Sequence, residues 1–546
     1  MVLSHRAVPA LAITAIVAAL LASQLSACAV GPDYVRPSLD VPSAYKEAEA
    51  SGSSSWKPAE PQSAGSAQPW WAAYGDPTLS ALIDQAGRAN QTLQQAEAQY
   101  RQAKAVADAA RAGLFPTVGA SAGAQRARTD SAGSKLGNVD SVGLSASWEP
   151  DLWGSVRRSI ESGDAGTQAS ADDLAAARLS IQAALAQDYL QLRITDQLRA
   201  LYAATTAAYL RSSQLTQSQY KAGVALRSDV ALAESQLKTA QAQGVDLEAQ
   251  RAQLEHAIAV LTGQAPASLA IAPLVGPASA QAPAPAGDAA SRGLLSQSTP
   301  PQATSSQATA PQIALPAIPA GVPSELLERR PDIAAAERRV AAANANIGVA
   351  KAAFFPSLVL SASGGFGAAS FGSLFDTPSR VWSLGAALAG TIFDGGLRRA
   401  HTDQAIAAYD SAVAQYKQTV LVGFQQVEDN LATLRVLAQE ATLQDQAVQA
   451  SQLAERLALS QYRAGTASYL SVVTAQTLSL TNRRTAVQVQ GRRLAASVGL
   501  VTATGGGWNS AANAATDNAA TGTTADTAPA IPPQPIATRA AQKTSS

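Results

Sequence analysis

Apolar positions along the chain change their period several times, and the changes mark its elements. Val142, Leu144, Ala146 and Trp148 alternate with Ser141, Gly143, Ser145 and Ser147. Trp382, Leu384, Ala386 and Leu388 alternate with Ser383, Gly385, Ala387 and Ala389 in the same way. One greasy face and one small, polar face is the pattern of a strand with lipid on one side and water on the other; a half-buried strand in a soluble sandwich shares it. Each of these runs follows another short strand run, which starts after Pro116 or Pro356 because proline ends the preceding helix. Elsewhere the steps are three and four. Val230, Ala233, Leu237, Ala240, Gly244, Leu247, Arg251, Leu254, Ile258 and Leu261 form a coiled-coil seam, weakened by Gly244 and Arg251. Val420, Phe424, Val427, Leu431, Leu434 and Ala438 form a second. Helices are predicted over Leu79–Ala112, from Ser155 to near Gln219, and from beyond Gly223 to Leu261. Three more run from Ser324 through Arg329–Asp332 to Ala353, from Gly395-Gly396 to near Gln461, and over Tyr469–Val501. The stretch from Ser155 has no proline and would span about 95 Å, too long for an ordinary globular core and suited to a coiled-coil tube.

The same layout is written twice. SQYKAG at Ser218–Gly223 returns as SQYRAG at Ser460–Gly465, 242 residues later. RAGLFP at Arg111–Pro116 returns as KAAFFP at Lys351–Pro356, 240 later, and Arg157-Arg158 returns as Arg398-Arg399, 241 later. Landmarks in one order at one offset indicate a duplicated unit. The repeats are placed at 79–262 and 324–501, joined by a Pro/Ala/Ser/Gln-rich linker and belt over 263–323. The Ala/Thr/Asn/Pro-rich tail over 502–546 has the composition of a disordered segment.

Residues 1–27 read as an export signal: His5 and Arg6 precede an apolar run too short to span a bilayer. The single cysteine, Cys28, follows Leu25-Ser26-Ala27, and this string resembles the bacterial lipobox, in which the cysteine is acylated. That would anchor the chain to lipid, and Ala29 fits sorting to the outer membrane. Residues 28–78, rich in Pro, Ser and Trp, read as an extended segment lying over another domain. Forty basic and forty acidic residues leave no net charge to suggest a nucleic acid. Three histidines, one cysteine and no GxxxxGK stretch leave no candidate metal cluster, cofactor site or nucleotide-driven chemistry. Four strands are too few to close a barrel, and lipid tolerates no open edge, so several chains must share one.

The chain resembles the TolC-like outer membrane factors, specifically the NodT/OprM-type efflux lipoproteins. The resemblance rests on GPDYVRP (31–37), WEPDLWGSVRR (148–158), the string at 321–357, FDGGLRR (393–399) and YRAGTASYLSVVTAQT (462–477). It implies a membrane α+β fold: a trimeric outer-membrane β-barrel, four strands per protomer and twelve in total, continuous with a long periplasmic α-helical coiled-coil barrel. It implies a passive exit duct of a tripartite efflux or secretion system, served by a periplasmic adaptor (membrane fusion protein) and an inner-membrane pump of the RND type. It also implies a periplasmic gate in which Tyr462 bonds Asp229, with Ser228 beside it. The positions where relatives carry a ring of pore carboxylates are Ser471 and Thr474 here, so the ring is neutral. Gly223, Val224 and Ala225, with Gly465, Thr466 and Ala467, match the tips where adaptor hairpins dock. Ala467 stands where some relatives have a basic residue. Two other readings remain: a lipid-anchored periplasmic coiled-coil adaptor or scaffold, and a lipoprotein enzyme. The paired amphipathic strands argue against the first. The absence of a nucleophile–base–acid set argues against the second.

Overall fold

A computed structural model of the chain describes residues 29–47 apart from 40 and 43, together with 69–129, 135–273 and 329–506. The export signal, Cys28, Trp56, most of the linker and the tail beyond 506 lie outside the described residues.

The elements follow the duplication. The first unit holds α1 (Pro77–Ala89), α2 (Gln91–Ala112), β1 (Thr117–Thr129), β2 (Lys135–Trp148), α3 (Ser155–Lys221) and α4 (Arg227–Leu261). The second holds α5 (Pro331–Ala352), β3 (Ser357–Ala368), β4 (Arg380–Ala389), α6 (Leu397–Arg463) and α7 (Tyr469–Ala503). The long helices α3 and α6 have 67 residues each, α4 and α7 have 35 each, and α2 and α5 have 22 each. A 67-residue helix is about 100 Å long. Among the described residues, no helix is both long and apolar enough to cross a membrane.

Within each unit the two shorter helices lie end to end, and one device makes both joints. The predicted helix over 79–112 is interrupted at Asn90, which is extended (φ −68°, ψ 126°). Its side-chain oxygen accepts the Leu93 N–H at 3.1 Å, and its Nδ2 donates to the Leu261 carbonyl at 2.8 Å. The amide thus caps the start of α2 and the end of α4 together. The predicted helix through Arg329–Asp332 is likewise interrupted at Arg330, and α5 starts at Pro331, which fits the first helical position because it has no N–H to satisfy. Arg330 is extended there, and its Nη1 donates to the Ala503 carbonyl at the end of α7 at 3.2 Å. Gly263 and Gly505 follow α4 and α7 with φ of +71° and +91°, and a Cβ on either would strike the carbonyl of Ala89 or Arg329. Asn90 and Arg330 are 240 residues apart, and the glycines 242.

The four strands make one antiparallel sheet in the order β1-β2-β3-β4. Rungs across it read Val118, Ala146, Ala362, Leu384 and then Ala120, Leu144, Gly364, Trp382 on one face. On the other face they read Thr117, Ser147, Ser361, Gly385 and then Gly119, Ser145, Ser363, Ser383. Every apolar alternation therefore falls on one side. Trp382 and Leu384 on that side are 78% and 76% exposed. The small-residue face is crowded: a Cβ on Gly365 would lie 2.3 Å from the Val142 carbonyl oxygen. The β2–β3 pairing unites the repeats, and β1 and β4 are left as edges.

Below the sheet, α3 packs on α2, α4, α5 and α7, and α6 packs on α5 and α7. One core gathers Leu79, Leu185, Tyr189, Leu192, Ile258 and Leu494, with Trp70 and Trp71 against it. Arg251, which breaks the apolar seam of α4, is an ion-pair centre: its Nε donates to Asp196 at 2.8 Å and its Nη1 to Glu255 at 3.0 Å. Arg193 donates to the same Asp196 and to the Ala272 carbonyl, so the network pins the start of the middle segment. In the second seam Leu437 is buried and Ala438 exposed, one place off the expected step.

Residues 29–47 form a strap. Val30 N–H donates to the Trp153 carbonyl at 3.1 Å, Arg158 holds Asp33 at 2.8 Å, and Asn344 bonds the Pro32 carbonyl at 3.0 Å. Further down, Glu428 on α6 accepts the backbone N–H groups of Lys46 and Glu47 at 2.7 and 2.9 Å. Ala29 lies against Gly154, at the junction between sheet and helices. Gly31 and Gly348 meet where the strap crosses α5; a Cβ on Gly348 would lie 2.8 Å from Arg158 Cγ and 2.9 Å from the Val30 oxygen. Gly348→Ala is expected to lower stability by about 1–3 kcal/mol through overpacking. The checks are a lower midpoint in thermal unfolding and faster proteolysis within 29–47.

Candidate functional site at the hairpin tips

The helical hairpins α3–α4 and α6–α7 turn through matching motifs. Gly223 and Gly465 take φ of +76° and +73°, values open to glycine. Val224 N–H returns to the Gln219 carbonyl at 2.9 Å, and Thr466 N–H to the Gln461 carbonyl at 3.0 Å. These are the bonds of a glycine-terminated helix end. Gly223, Val224, Gly465 and Thr466 are exposed at the tips, and Ala225 and Ala467 are half-buried beside them.

The two tips differ in one respect. Tyr220 and Tyr462 occupy equivalent positions, yet Tyr220 is 43% exposed and Tyr462 only 7%. The Tyr462 phenol donates to Thr216 Oγ1 on α3 at 3.5 Å, and its ring lies 5.2 Å from that of Tyr469 at 58°. The Tyr469 hydroxyl is 3.3 Å from Ser212 Oγ. Burial raises the Tyr469 pKa above the usual phenol value, with Tyr462 and Asp229 nearby adding to it. Val472, Ala233, Leu215 and Leu459 close an apolar cluster around the pair. The second hairpin is thus clamped against the first by two tyrosines.

The bond between Tyr462 and Asp229 implied by the resemblance is not made within this protomer. Asp229 instead turns back on its own helix, where its carboxylate accepts the Leu226 N–H at 3.3 Å. The first turn of a helix offers unpaired N–H groups to a carboxylate, and Asp229 sits at that turn. Ser228 is exposed beside it. Thr216 and Ser212 carry no motif that marks them in the sequence, and Tyr469 lies in the 462–477 string without a role assigned to it; their part follows from which face of α3 meets α7. Ser471 and Thr474 are exposed on α7, and their hydroxyls donate to the carbonyls of Ser468 and Leu470 at 2.6 and 2.9 Å. Leu470, Leu478 and Thr481 continue that uncharged, exposed stripe. Among the described residues no group of His, Cys, Asp and Glu is arranged to hold a metal ion.

The sheet, the paired hairpins and the tips can now be set beside known proteins. The family model described as "Outer membrane efflux protein" matches residues 82–264 and 322–506, the two repeats. The chain belongs to this family. It is 33% identical to the pyoverdine export outer membrane protein OpmQ of Pseudomonas aeruginosa, over 89% of this chain and 95% of that protein. Outer membrane protein OprJ of the same organism is 32% identical over 92% of this chain and 97% of its own length. Among solved structures, the outer-membrane channel OprN superposes with a TM-score of 0.75 at 30% identity, covering 88% of this chain and all of that one. This efflux protein is an outer-membrane channel with its helical part in the periplasm.

On the periplasmic face of this outer membrane efflux protein, Asp172 of α3 lies against α5. Burial pushes its pKa up to about 7; Asp173 and Glu337 add to the rise, and Arg338 and Arg339 oppose it. A carboxyl that is neutral when folded and ionised when unfolded costs stability as pH rises from about 4 to 7. Asp172→Asn is expected to flatten the fall in thermal midpoint across that window and to stabilise the protein at pH 8, by on the order of 1–3 kcal/mol. Melting curves of both proteins from pH 4 to 8 check this.

Proposed function

We propose that three copies of this chain close a twelve-stranded barrel over a continuous helical tube, forming the passive exit duct of a tripartite efflux system. The observation that carries this reading is a four-stranded sheet, apolar on one face and small and polar on the other, with both edges unpaired. Lipid leaves no unsatisfied backbone, so β4 of one copy takes β1 of the next. No chemical step is assigned: drugs or other small molecules pass through a water-filled lumen. An RND-type inner-membrane pump drives them, and a periplasmic adaptor docks at Gly223–Ala225 and Gly465–Ala467. Acylation of Cys28 anchors the strap where it leaves the base of the sheet.

Heat-modifiable electrophoresis of outer-membrane fractions tests the assembly. A band of three-chain mass that collapses on boiling is expected; a monomer with protease-sensitive strands would overturn it.

We place the gate at Tyr462 with Asp229 and Ser228, and add Thr216 and Tyr469 as the groups that hold the phenols. Tyr462→Phe removes one hydrogen bond of about 1 kcal/mol, so resting conductance in planar bilayers should rise about two- to fivefold. Unchanged conductance would remove Tyr462 from the gate. We assign the pore constriction to Ser471 and Thr474, whose neutral ring gives weak block by multivalent cations. Thr474→Asp is expected to create strong block from the periplasmic side, measured as conductance with and without a trivalent cation. A Thr474→Asp channel that stays unblocked would move the constriction elsewhere.

A further inference from the structure

The apolar face of the sheet is unevenly filled. Along β3 its successive positions are Phe366, Gly364 and Ala362, and the strands on either side place Leu144 and Trp382 level with Gly364. The missing side chain leaves a trough of about 680 Å³ bounded by Ala120, Leu144, Phe366 and Trp382, with an almost wholly apolar lining. A second hollow below it, over Ala146 and Ala362, extends the depression down the sheet. A Cβ on Gly364 would meet nothing within 4 Å, so the backbone there does not need glycine to avoid a clash.

Arg380 stands at the outer end of the trough. It faces Phe366 in register, is exposed, and its guanidinium forms no hydrogen bond or ion pair with the described residues. Phe375 of the β3–β4 connection packs edge-on against Phe366 at 5.4 Å, so Arg380 sits where the sheet gives way to its outer loop. Arg380 is nine steps from Ala389 at the base, about 30 Å along the strand. With the usual strand tilt that is roughly 23 Å of height, the outer limit of the hydrocarbon layer. Asp140, the acid on this face, is two strands away and two residues further along, about 12 Å, and does not neutralise the guanidinium.

We propose that this trough is a seat for a phosphorylated, multiply acylated glycolipid of the outer leaflet, of the lipid A class. One acyl chain lies over Gly364 between Leu144 and Trp382, and the Arg380 guanidinium holds a phosphate. A guanidinium fork matches phosphate geometry, and beside hydrocarbon the contact is screened less than in water. A phospholipid of the inner leaflet would place its headgroup at the opposite end of the sheet, away from Arg380. The inference rests on the reading that the apolar face looks into lipid.

The test is native mass spectrometry of the full-length protein, released from detergent after incubation with lipid A, dephosphorylated lipid A or phosphatidylglycerol. The wild type is expected to retain lipid A saturably and to prefer it about tenfold over the other two. Arg380→Gln should abolish the preference for the phosphorylated form while keeping apolar retention. Gly364→Leu, which fills the trough from an unobstructed Cβ, should lower retention of both lipid A forms. Equal retention of all three lipids by the wild type, or variants that match it, would overturn the seat. If those proteins still fractionate to the outer membrane as heat-modifiable oligomers, the duct reading survives that failure; if the wild type does not, both fall.

Discussion

In hydrocarbon a peptide group has no water to turn to, and each unpaired N–H or C=O costs several kcal/mol. That constraint bears on every level of this chain. The sheet pairs β2 with β3 across the two repeats, yet β1 and β4 each present one row of unpaired groups. A single chain therefore leaves two edges of its sheet open. The faces obey the same logic: Leu144, Trp382 and Leu384 point one way, while serines and glycines point the other and leave room for a lumen. Glycine is required on the crowded side, where Gly365 meets the Val142 carbonyl, and optional on the other, where Gly364 opens the trough.

The helical part answers a different demand. A tube about 100 Å long needs walls whose helices match in length. The duplication meets it by setting two shorter helices end to end beside each 67-residue one. The joint is the weak point of such a wall, since a helix start and a helix end meet there with orphan backbone groups. Asn90 and Arg330 resolve this with different side chains at equivalent positions, each donating to the last carbonyls of the helix above or below. The strap adds a second kind of closure. Its contacts run from Trp153 near the sheet to Glu428 far down α6, tying the membrane end of the molecule to its middle.

The duplication is broken at the tips. Tyr220 and Tyr462 share a sequence motif but not an environment, because only the second hairpin leans on α3. The uncharged stripe of Ser471, Thr474 and Leu478 lies on α7, the helix that also carries Tyr469 of the clamped pair.

Much of this was legible in the chain itself, for physical reasons that act locally. Period-two alternation decides which strand residues share a face, because successive side chains point to opposite sides whatever surrounds them. The repeat offset near 240, the glycines that end α3 and α6, and the prolines that start the strands are likewise local. What the sequence could not determine depends on which surfaces meet. It predicted one helix over 79–112, but the break at Asn90 depends on Leu261, 171 residues away. Arg251 looked like a flaw in an apolar seam until Asp196 was placed opposite it. Asp229 matched a motif for bonding a tyrosine, yet the first turn of its own helix was the nearer partner. Short-range sterics and periodicity are written in order along the chain; the partner of a buried polar group is chosen only when distant segments pack together.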